Sequence, residues 1–194
     1  MSLAEKVSFL SEFLRRPSSV GAIAPSSPDL AEKMLQWIDW PNVRAVIEYG
    51  PGTGAFTGRI RERIHPACRF LAIEINSQFA ATLSSRYPDI RVHQDSVVDV
   101  EAVCRRDGID QVDAIVCGLP WAVFGEEQQA AILGGIMAVL RPGGQFATFA
   151  YLQGLLLPAA RRFRKNLDRH FSRVERSPTA WRNLPPALVY RCRR

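Results

Sequence analysis

Apolar positions along this chain change period repeatedly, and the changes lay out its elements. Residues 43–49, VRAVIEY, form a β-branched apolar run too short for a helix, and they read as a buried parallel strand. The run ends in Gly50, Gly52 and Gly54, with a helix opening near Thr53 and covering about 54–64. Further strands follow at Arg69–Ile75, Ile90–Gln94, Val112–Cys117 and Gln145–Ala150, alternating with helices at Asn76–Arg86, 97–106 and 126–140. Arg141-Pro142-Gly143-Gly144 stops the last of these helices. A basic helix at about 158–169 leads to two more strands, Phe171–Arg176 and Ala187–Arg193, joined by SPTAWRNLPP. Ahead of the first strand, Leu3, Val7, Leu10 and Leu14 recur at helical spacing, widened by Phe9 and Phe13, and predict an amphipathic helix over 3–16. Ser27-Pro28-Asp29 is a cap, first-position proline and first-turn acid, and starts a helix to about Trp37. Strand–helix alternation of this kind predicts an α/β fold around a parallel sheet.

A length of 194 residues suits one domain, with residues 1–40 as a helical cap, lid or membrane-contact segment. No apolar run reaches the roughly 18–20 residues needed to span a bilayer. Glu5, Lys6 and Glu12 break up any signal-peptide core, which together with the cysteines points to the cytoplasm. Cys68, Cys104, Cys117 and Cys192 show no metal or disulfide spacing and read as reduced thiols, so no metal is expected. The net charge of +6 is uneven: residues 151–194 hold eleven Lys or Arg against two acids, and the first 150 hold fourteen against seventeen. A basic C-terminal quarter on a slightly acidic body suggests an anionic partner.

The chemistry gathers at strand ends, where open α/β sheets bind ligands. The G-x-G-x-G loop after Glu48 lets a ligand approach the backbone closely, and a helix start beyond it favours anionic groups. Glu74 ends the second strand, where a carboxylate can accept from both hydroxyls of a ribose. Asp95-Ser96 ends the third: the acid can accept from an adenine amino group, and the Ser96 N–H can donate to a ring nitrogen. Gly118-Leu119-Pro120-Trp121 follows the fourth strand with no polar side chain before Glu126.

With these four motifs the chain resembles the class I S-adenosylmethionine-dependent methyltransferases over nearly its full length. The resemblance implies a Rossmann-like, seven-stranded, mostly parallel sheet with helices on both faces and a reversed C-terminal hairpin. It implies S-adenosyl-L-methionine as cofactor, held by Glu48, Gly50, Gly52, Thr53, Gly54, Thr57, Glu74, Asp95, Ser96 and Gly118, with the glycine loop taking its methionine part.

The fourth motif bears on the methyl acceptor. Enzymes that methylate base amino groups carry Asn, Asp or Ser before x-Pro-aromatic, and the rRNA dimethyladenosine enzymes carry Asn-Leu-Pro-aromatic. Gly118 removes that side-chain acceptor, which a flexible alkyl amine would not need. Residues 15–27 and 180–190, Gly-Leu-Pro, and Phe149-Ala150-Tyr151 resemble the bacterial phospholipid N-methyltransferases, with Ala150 departing from the polar residue of that family. The expected activity is therefore N-methylation of phosphatidylethanolamine-type lipids at the inner face of the membrane. An rRNA adenine or small-molecule methyltransferase is the alternative.

Leu119, Pro120, Trp121, Tyr151 and Asn183 are the expected substrate residues. Tyr151 would orient the amine or accept its proton, and Trp121 and Tyr151 would hold the methylated cation by cation–π contact. The 3–16 helix would lie in the membrane interface or close over the cofactor. Arg161, Arg162, Arg164, Lys165 and Arg169 would meet anionic lipid at about 1 kcal/mol each, although RNA phosphates would attract them too.

Overall fold

The computed structural model describes residues 26–194, so the expected 3–16 helix lies outside the described residues. Helix α1 (Pro28–Leu35) starts where its cap predicts: the Ser27 hydroxyl accepts from the Leu30 N–H at 3.2 Å, with Pro28 in the first turn. Strand β1 (Ala45–Tyr49) is buried at every position. Helix α2 (Thr57–Arg61), strand β2 (Arg69–Ile73) and helix α3 (Ser77–Arg86) follow, α3 being capped by the Asn76 side chain. Strand β3 (Arg91–His93) passes through a 3-10 turn at Val97–Asp99 into α4 (Val100–Arg106). Then come β4 (Val112–Cys117), α5 (Glu126–Val139), β5 (Leu140–Tyr151), α6 (Pro158–His170), β6 (Arg173–Arg176) and β7 (Ala187–Arg193).

The seven strands form one sheet in the order β3-β2-β1-β4-β5-β7-β6. Pairings from β3 through β5 are parallel, and β7 runs antiparallel to both β5 and β6, which is the expected reversed hairpin. Strand order reverses between β1 and β4, so their carboxyl ends diverge around a crevice. Successive residues of a strand face opposite ways, and this builds two cores. Ile47, Leu71, Ile115 and Phe146 pack with Val100, Ile132, Phe163 and Leu167 of α4, α5 and α6. Val46, Phe70, Ala72 and Val116 pack with Leu30 and Met34 of α1 and Ile60 of α2. Helices therefore cover both faces. Among the described residues, no helix is long and apolar enough to cross a membrane.

Two boundaries depart from expectation for backbone reasons. The helix expected to open near Thr53 begins at Thr57. Gly50, Gly52 and Gly54 sit at φ of 61°, 56° and 83°, a conformation outside the right-handed helix, so no helical turn can form across them. Strand β5 starts at Leu140 rather than Gln145, although Arg141-Pro142-Gly143-Gly144 was expected to lie outside it. The Gly143 N–H donates to the Arg194 carbonyl at 2.9 Å and the Arg194 N–H to the Gly144 carbonyl at 3.0 Å. The C-terminus thus draws the turn into the sheet, with a register shift between Val112 and Ala114.

Candidate active site

The loops after β1 and β4 are pressed backbone to backbone. The Gly118 N–H donates to the Tyr49 carbonyl at 2.8 Å, and the Gly50 N–H to the Ile73 carbonyl at 2.9 Å. A β-carbon on Gly118 would stand 2.8 Å from the Gly50 carbonyl oxygen, and one on Gly50 would stand 2.8 Å from Leu119 Cδ2. The carbonyl is fixed backbone, so Gly118 requires glycine for this approach; the Leu119 tip can shift, and at Gly50 it is the φ of 61° that favours glycine. Together they form a narrow bridge between the two strand ends.

Two carboxyl groups support that bridge. Glu48 is fully buried behind the loop, and its Oε2 accepts from the Thr57 hydroxyl at 2.7 Å. Its Oε1 has no hydrogen-bond partner among the described residues. Burial pushes the Glu48 carboxyl up to about 8; the Thr57 bond opposes this and the charge of Glu74 adds to it. Glu74 is also buried, and accepts from the Gly52 N–H at 2.9 Å and the Asn76 N–H at 2.8 Å. Its pKa is likewise raised by burial, against those backbone donors. A carboxylate offers about four acceptor sites, so Glu74 keeps acceptor capacity for a ligand beyond its backbone donors.

A cavity of about 430 Å³ opens over these strand ends. It gathers Gly50, Gly52, Glu74, Asp95, Ser96, Gly118, Leu119 and Pro120, eight of the residues expected from the sequence. Asp95 is also ion-paired with Arg106, and the Ser96 hydroxyl accepts from the Val98 N–H at 3.3 Å as a cap. The size is ordinary for a cofactor site. A glycine cradle that a β-carbon would fill, flanked by a buried carboxylate with spare acceptor sites, fits a nucleoside carrying an amino-acid tail. Ile73, Ile75, Val97, Phe124, Ala131 and Ile132 add an apolar wall that suits the faces of a base, and Asp99, Glu127 and Gln128 also line the cavity. Sequence reasoning passed over Phe124, Ala131 and Ile132 because their spacing on and before α5 reads simply as core.

Other expected residues lie outside the cavity lining. Thr53 is exposed, Gly54 turns inward against Leu83, and Thr57 serves Glu48. Trp121 is buried, not open to a substrate cation: its ring stacks on Phe163 at 4.0 Å and its Nε1 donates to the Thr148 hydroxyl at 2.9 Å. The expectation of a cation–π wall there is corrected by this packing. Tyr151 packs edge-on against Phe149 on the α1 side of the sheet, and burial pushes its phenol up to about 12. A phenol held neutral is a poor proton acceptor, which weighs against the base role and leaves the orienting role open to Tyr151. Asn183 is buried and occupied: its Oδ1 accepts from the Ser27 N–H at 2.8 Å, and its Nδ2 donates to the Pro185 carbonyl at 2.7 Å. It ties the hairpin turn to the start of α1 instead of lining the cavity.

One positioning residue left no signal in the sequence. Gln129, buried on α5, donates through Nε2 to the carbonyls of Trp121 at 2.9 Å and Ala159 at 3.0 Å. It thereby fixes the turn after Pro120 against the start of α6. All four cysteines are free thiols; burial pushes Cys68 and Cys104 up to about 11 and Cys117 to about 12. No cluster of potential metal ligands occurs among the described residues.

Comparison with known proteins agrees with this geometry. Residues 46–144 match the family model described as a methyltransferase domain. An ornithine lipid N-methyltransferase of Singulisphaera acidiphila is 34% identical over 188 residues, covering 95% of this chain and 94% of that protein. Among solved structures, an O-methyltransferase of Bacillus cereus in complex with S-adenosylhomocysteine superposes with a TM-score of 0.70 at 15% identity, covering 95% and 90% of the two chains. An O-methyltransferase of Streptomyces achromogenes in complex with S-adenosylmethionine gives 0.65 at 17% identity, covering 96% and 88%. Those structural likenesses speak to the fold. The chain belongs to the methyltransferase-domain family and is an S-adenosylmethionine-dependent methyltransferase with the class I fold.

Proposed function

We propose that this methyltransferase N-methylates the amine headgroup of a membrane lipid. The observation that carries the acceptor class is Gly118, held by its contact with the Gly50 carbonyl, where a base-methylating enzyme would present a side-chain acceptor. The likeness to an ornithine lipid N-methyltransferase along almost the whole chain supports a lipid amine. Ornithine lipid and phosphatidylethanolamine share the required chemistry, a primary alkyl amine on an acyl-bearing scaffold.

S-adenosylmethionine, when bound, supplies a methyl group on a sulfonium that an amine lone pair can displace. The chain's own contribution is placement. Gly50 and Gly52 offer backbone against the amino-acid tail, Glu74 accepts from the ribose hydroxyls, and Asp95 with Ser96 reads the adenine edge. Leu119 and Pro120 border the acceptor side and keep water from it, which raises the rate by fixing the approach of the two reactants. The acceptor ammonium, whose pKa is near the roughly 10 of lysine, must shed a proton before it reacts. The neutral phenol of Tyr151 does not take that proton, so the amine loses it to water before it enters the site.

The test supplies labelled S-adenosylmethionine with mixed vesicles containing ornithine lipid, with vesicles containing phosphatidylethanolamine, and with water-soluble ethanolamine and unmodified rRNA as comparators. Label in either lipid and in neither comparator is the expected result, and the stronger lipid arm names the headgroup. Label in rRNA or in the soluble amine alone overturns the reading.

A further inference from the structure

Among the described residues, the four most exposed large apolar side chains are gathered at one end, ahead of Val98 and Val123. Leu156 is 73% exposed, Leu157 46%, Trp181 71% and Leu184 72%. They come from two stretches far apart in sequence: the turn entering α6 and the loop joining β6 to β7. The Leu152 N–H donates to the Pro186 carbonyl at 2.9 Å, and Ala180 bridges to Ala187, so the two stretches are neighbours. Both lie at the carboxyl end of the parallel strands, which is also the cavity end. A β-carbon on Gly154 would meet Ala122 Cβ at 3.5 Å, and Ala122 stands two residues beyond the cavity-lining Pro120.

Charge accompanies the apolar tips. Arg161 and Lys165 are exposed on α6, one and two turns beyond Leu157, and Arg182 is exposed beside Trp181. Among the described residues, none of the three is in an ion pair. Isolated apolar tips with free cations around them suit a bilayer interface, where leucines enter the acyl boundary, tryptophan sits at headgroup level and Arg or Lys meets lipid phosphate. A protein interface would bury its apolar residues in one flat, close-packed core.

We propose that the 156–157 turn and the 181–184 loop together form a membrane-docking edge, seating the cavity end of the protein on an anionic lipid surface. This proposal rests on the lipid-amine reading and deepens it, since an edge beside the cavity delivers the acceptor from the bilayer without its leaving the membrane. It also assigns docking to the described body of the protein, in addition to any part played by residues 3–16.

Vesicle flotation with full-length protein tests it, using phosphatidylglycerol vesicles that contain no amino lipid, so that binding is read apart from methyl transfer. Wild type should float with these vesicles, weaken in high salt and bind pure phosphatidylcholine poorly. The double variant W181S/L184S should bind on the order of tenfold more weakly, and R161E/K165E should lose a similar factor with a shallower salt dependence. Both should bind S-adenosylhomocysteine as wild type does by calorimetry, which establishes that they are folded. Brominated lipid should quench the tryptophan fluorescence of wild type, and the W181F variant should lose most of that quenching. Wild-type vesicle affinity in W181S/L184S overturns the proposal, as does unchanged quenching in W181F. Wild type that ignores the vesicles, or a patch that instead mediates self-association, overturns it too. If methyl transfer to amino lipids fails while these binding losses hold, the function falls and the docking edge stands.

Discussion

Glu48 shows how far burial alone can move a group. Its carboxyl ionises near 4.5 in the unfolded chain and at about 8 when folded, so the folded state holds the proton more tightly between those values. Stability therefore falls as pH rises through that window and levels off above it. In ligand-free protein, E48Q removes the ionisation, and its stability relative to wild type should improve by on the order of 3–5 kcal/mol from pH ~5 to pH ~8. Urea melts across that range check this, and a pH-independent difference contradicts it. Tyr151 supplies the complementary case. Its phenol is pushed up to about 12 by burial, so Y151F should keep kcat within about tenfold of wild type and leave the pH profile unmoved, whereas a lost general base costs about a hundredfold or more. Gly118 was legible as a missing side-chain acceptor; its reason, the Gly50 carbonyl 2.8 Å from where a β-carbon would be, is a tertiary contact that no local pattern encodes.

Elements with strong local signals were readable, and those shaped by distant partners were not. Ser27, Pro28 and Asn76 act within one turn of their own helix, so α1 and α3 begin where the sequence places them. The start of α2 depended on positive φ values at Gly50, Gly52 and Gly54, and the start of β5 on hydrogen bonds with Arg194, about fifty residues away. The same distinction divides the site. Gly50, Glu74, Asp95 and Gly118 reach the cavity because strand ends must, whereas Trp121 turned inward once Phe163 and Thr148 gave its ring and its N–H partners. Asn183 belongs to this scale as well. By holding Ser27 and Pro185 at once it joins α1 to the β6–β7 loop, and N183A should cost about 2 kcal/mol through two unpaired backbone groups. Chemical denaturation checks that figure; a loss below about 0.5 kcal/mol would mean that water replaces both bonds.

At the scale of the molecule, the sheet order, the cavity over the β1–β4 divide and the docking edge share one end of the fold. That arrangement suits an enzyme whose cofactor arrives from water and whose acceptor stays in a membrane. Because the acceptor must be a free amine, the rate of transfer should climb with pH by up to about tenfold per unit while the pH is below the ammonium pKa. The most direct measurement of the central claim is mass spectrometry of the lipid extract after the purified protein has worked on vesicles of ornithine lipid or phosphatidylethanolamine with S-adenosylmethionine. Headgroup fragments heavier by one or more methylene units, with the acyl chains unchanged, are the predicted result. Unmodified lipid from a protein that binds S-adenosylhomocysteine would contradict it.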